Sequence, residues 1–100
     1  MNIRKNSRIL ETSLTNEGIL RLNLNSPENL NALSERMIDL MQKNIDRAAS
    51  DKNVRVIIIS SEGSTFSSGH DLKELETARN KPDKGKKFYH KIMKKCSKMM

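Results

Sequence analysis

The chain has one cysteine (Cys96), two prolines, four glycines and three aromatic residues, with no tryptophan. A single cysteine excludes an internal disulfide, and a reducing compartment is the natural setting for such a chain. A cytoplasmic location is therefore expected, with the mitochondrial matrix as the alternative because residues 1–8 are basic and free of acids. Three aromatic rings leave the core to Ile, Leu, Met and Val. Metal chemistry lacks donors, since His70, His90 and Cys96 are scattered singly along the chain, and no metal is expected. No apolar run approaches the length needed to span a bilayer, so no membrane span is expected.

What is present is lysine, concentrated at one end. Of the net +7, none belongs to residues 1–80, where 11 Lys/Arg balance 11 Asp/Glu. Residues 81–100 hold eight lysines against Asp83 alone. The excess is a property of one segment and not of a nucleic-acid-binding domain, and no nucleic-acid partner is expected. A basic helix that contacts nucleic acid or an anionic membrane stays open as an alternative, but only Phe88 and Tyr89 interleave with the lysines. One hundred residues allow at most one modest domain.

Apolar spacing along the chain predicts an α/β fold. Residues 8–24 alternate around a Thr15-Asn16-Glu17-Gly18 turn, with Leu20, Leu22 and Leu24 on one face and Ile19, Arg21 and Asn23 on the other, the pattern of a hairpin. Pro27 and three asparagines between 25 and 31 mark a loop. Ser34 is placed to cap a helix over 34–50 that buries Leu33, Met37, Met41, Ile45 and Ala48, and Leu33 and Ile38 stand at staple spacing across the cap. The run VRVIIIS, near 54–60, is short and β-branched, and reads as a strand buried on both faces. Strand, helix and strand in that order imply a parallel crossover. A helical turn opens at Asp71 with Leu72 and Leu75 on one side, and residues 76–85 read as a mobile charged loop. From about 84 a helix sets Phe88, Ile92, Cys96 and Met99 or Met100 on one stripe, with Lys91, Lys94, Lys95 and Lys98 on solvated faces. The methionines at 37, 41, 93, 99 and 100 read as core filling. Residues 1–7 are expected to be disordered, and the chain stops inside its last helix without a stop signal, as a truncated chain would.

The segment SSGHDL joins the apolar strand to that helical turn. Gly69 can take a positive φ without steric cost, and the first amides of the following helix have no acceptor inside it. Such amides, at the positive end of a helix dipole, can stabilise a carbonyl oxygen that gains charge. On this reading His70 matters for its N–H, its imidazole facing solvent or touching substrate, and Asp71 serves as a helix cap more readily than as a general base.

NSPENLNALSERM, then DKNVRVIIIS, then FSSGHDLKEL resembles the N-terminal part of the enoyl-CoA hydratase/isomerase, or crotonase, superfamily over residues 8–75. SSGHDLKEL and YHKIMKKCSKMM resemble one branch of it. The resemblance implies the first portion of a ββα spiral fold, occupying 1–100 as part of one domain. Its expected partner is an acyl-CoA thioester, with coenzyme A as part of the substrate and no other cofactor, and the assembly is a homo-oligomer, a trimer or hexamer. It also implies that Asn31, Ala32 and Leu33 line the CoA site and that Ser68 offers its carbonyl to the adenine amino group. Gly69 and His70 would form the oxyanion turn, with Asp71, Leu72 and Lys73 following along the substrate. Leu30 stands where many members carry a cation for the CoA phosphates. The implied activity is of hydratase or isomerase type, in fatty acid metabolism, for a longer parent; the 100 residues alone are expected to be inactive. A non-catalytic CoA-binding or assembly protein on the same fold is the alternative, since the branch lacks the usual catalytic glutamates.

Overall fold

The computed structural model describes residues 3–6 and 9–100, with side chains from 9 onward. In chain order it contains β1 (Ile3–Asn6), β2 (Leu10–Leu14), β3 (Ile19–Leu24), a single 3-10 turn (Pro27–Asn29), α1 (Glu35–Ala49), β4 (Val56–Ser61), α2 (Leu72–Arg79) and α3 (Lys86–Met99). The strands form one sheet in the order β1-β2-β3-β4. β1 and β3 flank β2 antiparallel, and β4 returns parallel to β3 after α1, with Ile19 opposite Val56 and Leu24 opposite Ser61.

The hairpin forms as its alternation predicts. Thr15 and Ile19 close the turn, Gly18 lies at φ +87°, and Leu20, Leu22 and Leu24 face inward. With Leu10 they meet Met37, Met41 and Ala48 of α1 to make the main core. Complete burial of each such side chain stabilises the fold by roughly 1.5–3 kcal/mol. Ile38 turns to the other side of α1, where it packs with Ile92 and Cys96 of α3, and Leu33, Leu75, Phe88 and Met99 close around them. α1 is thus wedged between the sheet and α3. Cys96 is a small buried core residue.

Several expectations change. Residues 3–6, placed in a disordered stretch, pair as β1 with β2 at the sheet edge; the short polar IRKN run carries no alternation from which a strand could be read. Residues 1, 2 and 7 lie outside the described residues. VRVIIIS is a strand but is not covered on both faces: Val56, Ile57, Ile58 and Ile59 are 51, 39, 36 and 41% exposed. Among the described residues β4 has β3 on one edge and no strand on the other, and it contributes no side chain to either core. α2 continues through Arg79, which reduces the expected 76–85 loop to a connection over 80–85. Leu72 is exposed while Leu75 packs inward, so the two do not share a buried side. Met93 and Met100 are exposed too, unlike Met37 and Met41.

The lysines of α3 divide into two sets. Lys95 meets Glu35 at 2.9 Å and Asp39 at 3.0 Å, and Lys91 meets Glu35 at 3.1 Å. These contacts tie α3 to the first turns of α1, so Lys91 and Lys95 are not merely solvating. Lys94 and Lys98 are exposed. The α3 N-terminus is held by Asp83, whose carboxylate accepts from the amides of Gly85 and Lys87 at 3.0 and 3.1 Å. Those amides, Lys87 first, hold the Asp83 carboxyl below its usual range.

The loop before α1 depends on one side chain. Asn31 is completely buried at φ +51°, directly after Leu30 at φ +52°. Its Oδ1 accepts from Ser26 N–H at 2.8 Å, and its Nδ2 donates to the carbonyls of Glu62 and Thr65 at 2.8 and 2.9 Å. One amide therefore fastens the loop to the segment that follows β4. Asparagine tolerates the left-handed region better than other β-carbon-bearing residues.

Two outcomes are expected. Asn31→Ala should cost on the order of 3 kcal/mol, because it orphans one buried amide and two carbonyls, and Asn31→Asp should be no milder, since a carboxylate cannot donate to Glu62 and Thr65. Urea unfolding of both variants checks this. Lys95, then Lys91, holds the Glu35 carboxyl below its ordinary 4.5. A carboxyl depressed on folding stabilises the fold fully above its unfolded value and loses that contribution as pH falls through the folded one. Glu35→Gln should therefore remove roughly 0.5 kcal/mol near neutral pH, and the difference from wild type should vanish in acid. Unfolding midpoints measured across that range would show it.

Candidate functional site

The 30–33 loop and the 67–71 segment lie side by side. Ser68 N–H donates to Leu30 C=O at 3.0 Å, Ser67 Oγ donates to Asn31 C=O at 2.8 Å, and Leu33 N–H donates to Gly69 C=O at 2.6 Å. Leu33 and His70 form an isolated parallel bridge. In that register the hydrogen bonds of Leu33 go to residues flanking His70, and the His70 N–H faces away from the loop. Among the described residues no acceptor meets the His70 N–H.

Gly69 stands at φ +93°, and a Cβ placed there would meet nothing within 4 Å. The glycine is needed for its backbone conformation and not for room. It turns the chain so that His70 precedes the N-terminus of α2. Asp71 caps that helix, its Oδ1 accepting from the amides of Lys73 and Glu74 at 3.0 and 3.4 Å. Its Oδ2 accepts from Asn29 Nδ2 at 3.0 Å, which anchors the cap to the opposite loop. The helix-cap reading of Asp71 holds.

The site residues expected from the sequence are brought together, in different roles. Asn31 and Ala32 are buried, and the Asn31 side chain is consumed by backbone groups, so these two residues offer a ligand only their main chain. Leu33 is half-buried and packs toward α3. Ser68 is exposed, and no N–H among the described residues reaches its carbonyl. Leu72, at the first position of α2, is 75% exposed, and Lys73 beside it is exposed. The imidazole of His70 does not simply face solvent: its Nδ1 is buried with no hydrogen-bond partner.

Sequence reasoning passed over three features. Leu30 and Phe66 are large apolar side chains, 53 and 58% exposed, on the same two segments as His70 and Leu72. Asn29 anchors Asp71; its only signal was an asparagine in a loop rich in them. Glu74 accepts from the Glu35 N–H at the start of α1, at 2.9 Å. With Asp71 and Glu74 both engaged at helix N-termini, neither is a free carboxylate beside the His70 amide. Among the described residues no three His, Cys, Asp or Glu side chains gather as a metal site, and no described helix is long and apolar enough to cross a membrane.

This arrangement has relatives. The sequence profile of the enoyl-CoA hydratase/isomerase family matches residues 19–99. The mitochondrial enoyl-CoA hydratase domain-containing protein 3 of Xenopus laevis is 43% identical over 98% of this chain and 33% of its own length. Mitochondrial methylglutaconyl-CoA hydratase of Mus musculus is 41% identical over 67% of this chain and 22% of its own. Among solved structures, human enoyl-CoA hydratase domain-containing protein 3 superposes with a TM-score of 0.78 at 36% identity, covering 92% of this chain and 34% of that one. An enoyl-CoA hydratase of Mycobacterium smegmatis superposes with a TM-score of 0.82 at 31% identity, covering 93 and 34%. The chain spans about a third of the length of these relatives, and its hairpin, helix and strands correspond to the N-terminal part of the crotonase fold. On the profile match and the identities together, this chain belongs to the enoyl-CoA hydratase/isomerase family.

Proposed function

We propose that this protein binds an acyl-CoA thioester and that the main-chain N–H of His70 donates to the thioester carbonyl oxygen, stabilising it as it gains enolate character. The observation that carries this reading is an unpartnered N–H, presented by a glycine turn at φ +93° and directed away from the loop that braces it. An unpaired amide held before a helix N-terminus favours negative charge on an incoming oxygen. The exposed side chains of Leu30, Phe66 and Leu72 supply apolar surface for the pantetheine or acyl portion, and the open carbonyl of Ser68 suits an adenine amino group. Coenzyme A enters as part of the substrate, with no further cofactor. Relatives named as mitochondrial favour the mitochondrial matrix over the cytoplasm expected from cysteine content.

A second reading, thioester binding without turnover, is supported by Asp71 and Glu74. Both carboxylates face helix amides, so neither is placed to shuttle a proton at His70.

The His70 amide is tested by two substitutions in the full-length protein. His70→Ala keeps the N–H and should retain most thioester binding or turnover. His70→Pro removes the donor, restricts Gly69 and should abolish both. Circular dichroism must show that the proline variant keeps its fold. An alanine variant as inactive as the proline one, and equally well folded, assigns the chemistry to the imidazole and overturns the proposal.

A further inference from the structure

We infer that Glu74 is a positioning residue for the His70 amide, acting from α2 through the first residue of α1; the inference rests on the reading of that amide as a thioester-binding donor. A helix N-terminus is ordinarily capped from its own chain neighbourhood, and α1 follows this rule at only one amide, where Ser34 Oγ accepts from Met37 N–H at 3.1 Å. The Glu35 N–H instead donates to Glu74 Oε1 at 2.9 Å, across 39 residues of sequence. In a capping box an acid within the first turn reaches back to a free amide of its own helix; here the acid comes from a second helix, and two N-termini are locked to each other.

The lock closes a ring around His70. From Gly69 the chain runs through His70 to Asp71, which caps α2 through the amides of Lys73 and Glu74. The Glu74 side chain crosses to Glu35, and two residues earlier in the chain, before the α1 cap, Leu33 N–H returns to Gly69 C=O at 2.6 Å. His70 lies in this ring just before the α2 N-terminus, and its N–H meets no acceptor among the described residues. Its direction is fixed on one side by the Leu33 bond and on the other by the angle between α1 and α2. Glu74 sets that angle. Packing alone leaves it looser: α2 is eight residues long, and Ala78 is its only fully buried side chain, although Leu75 packs partly against α3. Lys95 and Lys91 neutralise the neighbouring Glu35 carboxylate, which allows a second carboxylate to approach the same helix end.

A structural strut and a positioning residue differ in one measurable respect. Only the second changes how much tighter the protein holds a thioester than a ligand lacking its carbonyl. The full chain is titrated with an acyl-CoA and with the S-alkyl-CoA thioether of equal length, and the bound thioester C=O stretch is read by infrared difference spectroscopy. Wild type is expected to prefer the thioester by about tenfold, the worth of one hydrogen bond to a carbonyl, with a lowered C=O frequency. Glu74→Gln keeps an acceptor oxygen and should hold that preference to within about twofold. Glu74→Met fills the same space without an acceptor, and should bring the two ligands near parity while thioether affinity stays put. If Glu74→Met does not fold, an ester in place of the Glu35 peptide N–H deletes the donor and should give the same loss. Equal weakening of both ligands, or an unchanged preference once the Glu35 contact is gone, overturns the inference while leaving the amide reading intact. A wild-type chain with no thioester preference overturns the amide reading, and this inference with it.

Discussion

The side chain of Asn31 organises everything near the candidate site. Two consecutive left-handed residues bend the loop that follows β3, and the buried amide at its apex holds the backbone of that bend and of the segment after β4. Without it, the 30–33 loop and the 67–71 segment would be aligned only by main-chain contacts and the Ser67 hydroxyl. With it, Leu33 reaches Gly69 and the His70 amide is turned outward. Burying an amide is favourable only when nearly all of its hydrogen bonds are made. Asn31 makes three, all to backbone, so the loop is specified by geometry that no apolar residue could reproduce. The side chain of a residue expected to line a ligand site is the peg on which the two segments hang.

Local signals made much of this fold legible. The alternation of Leu20, Leu22 and Leu24 predicts the hairpin, and the Ser34 cap and the 33-37-41-45-48 stripe predict α1 nearly to its ends. Gly69 and Asp71 announce the turn and the cap from residue type alone. What escaped the sequence was non-local. Nothing in VRVIIIS reveals whether neighbours will cover it, because period and β-branching report strand formation and not what packs against the strand. The polar β1 could not be separated from an unstructured end. At the site, the roles of Asn29, Asn31 and Glu74 depend on partners 31 to 42 residues distant, beyond the reach of spacing rules.

Charge follows the same division. A cluster of eight lysines in the last 20 residues first reads as a solvated or anion-seeking face. Part of it is internal: Lys91 and Lys95 meet the two carboxylates on the first turns of α1. An interhelical pair of this kind is individually weak, but Lys95 bridges both acids, and the apolar contacts of Ile38, Ile92 and Cys96 lie on the same interface. The ion pairs and the core therefore specify one arrangement of α1 and α3 between them, while Lys94 and Lys98 contribute only exposed charge.

The working atom of the proposed site belongs to the main chain, and this bears on how the protein tolerates change. A donor that every amino acid but proline possesses places almost no demand on the identity of residue 70, even at the centre of the chemistry. The demand moves to the residues that aim it: a glycine able to hold φ +93° and an asparagine able to sit buried at φ +51°. A library of variants read out for thioester binding would accordingly be permissive at the reacting position and intolerant one residue before it. A map of sensitivity drawn from such a library would outline the scaffold of the site and leave its centre blank.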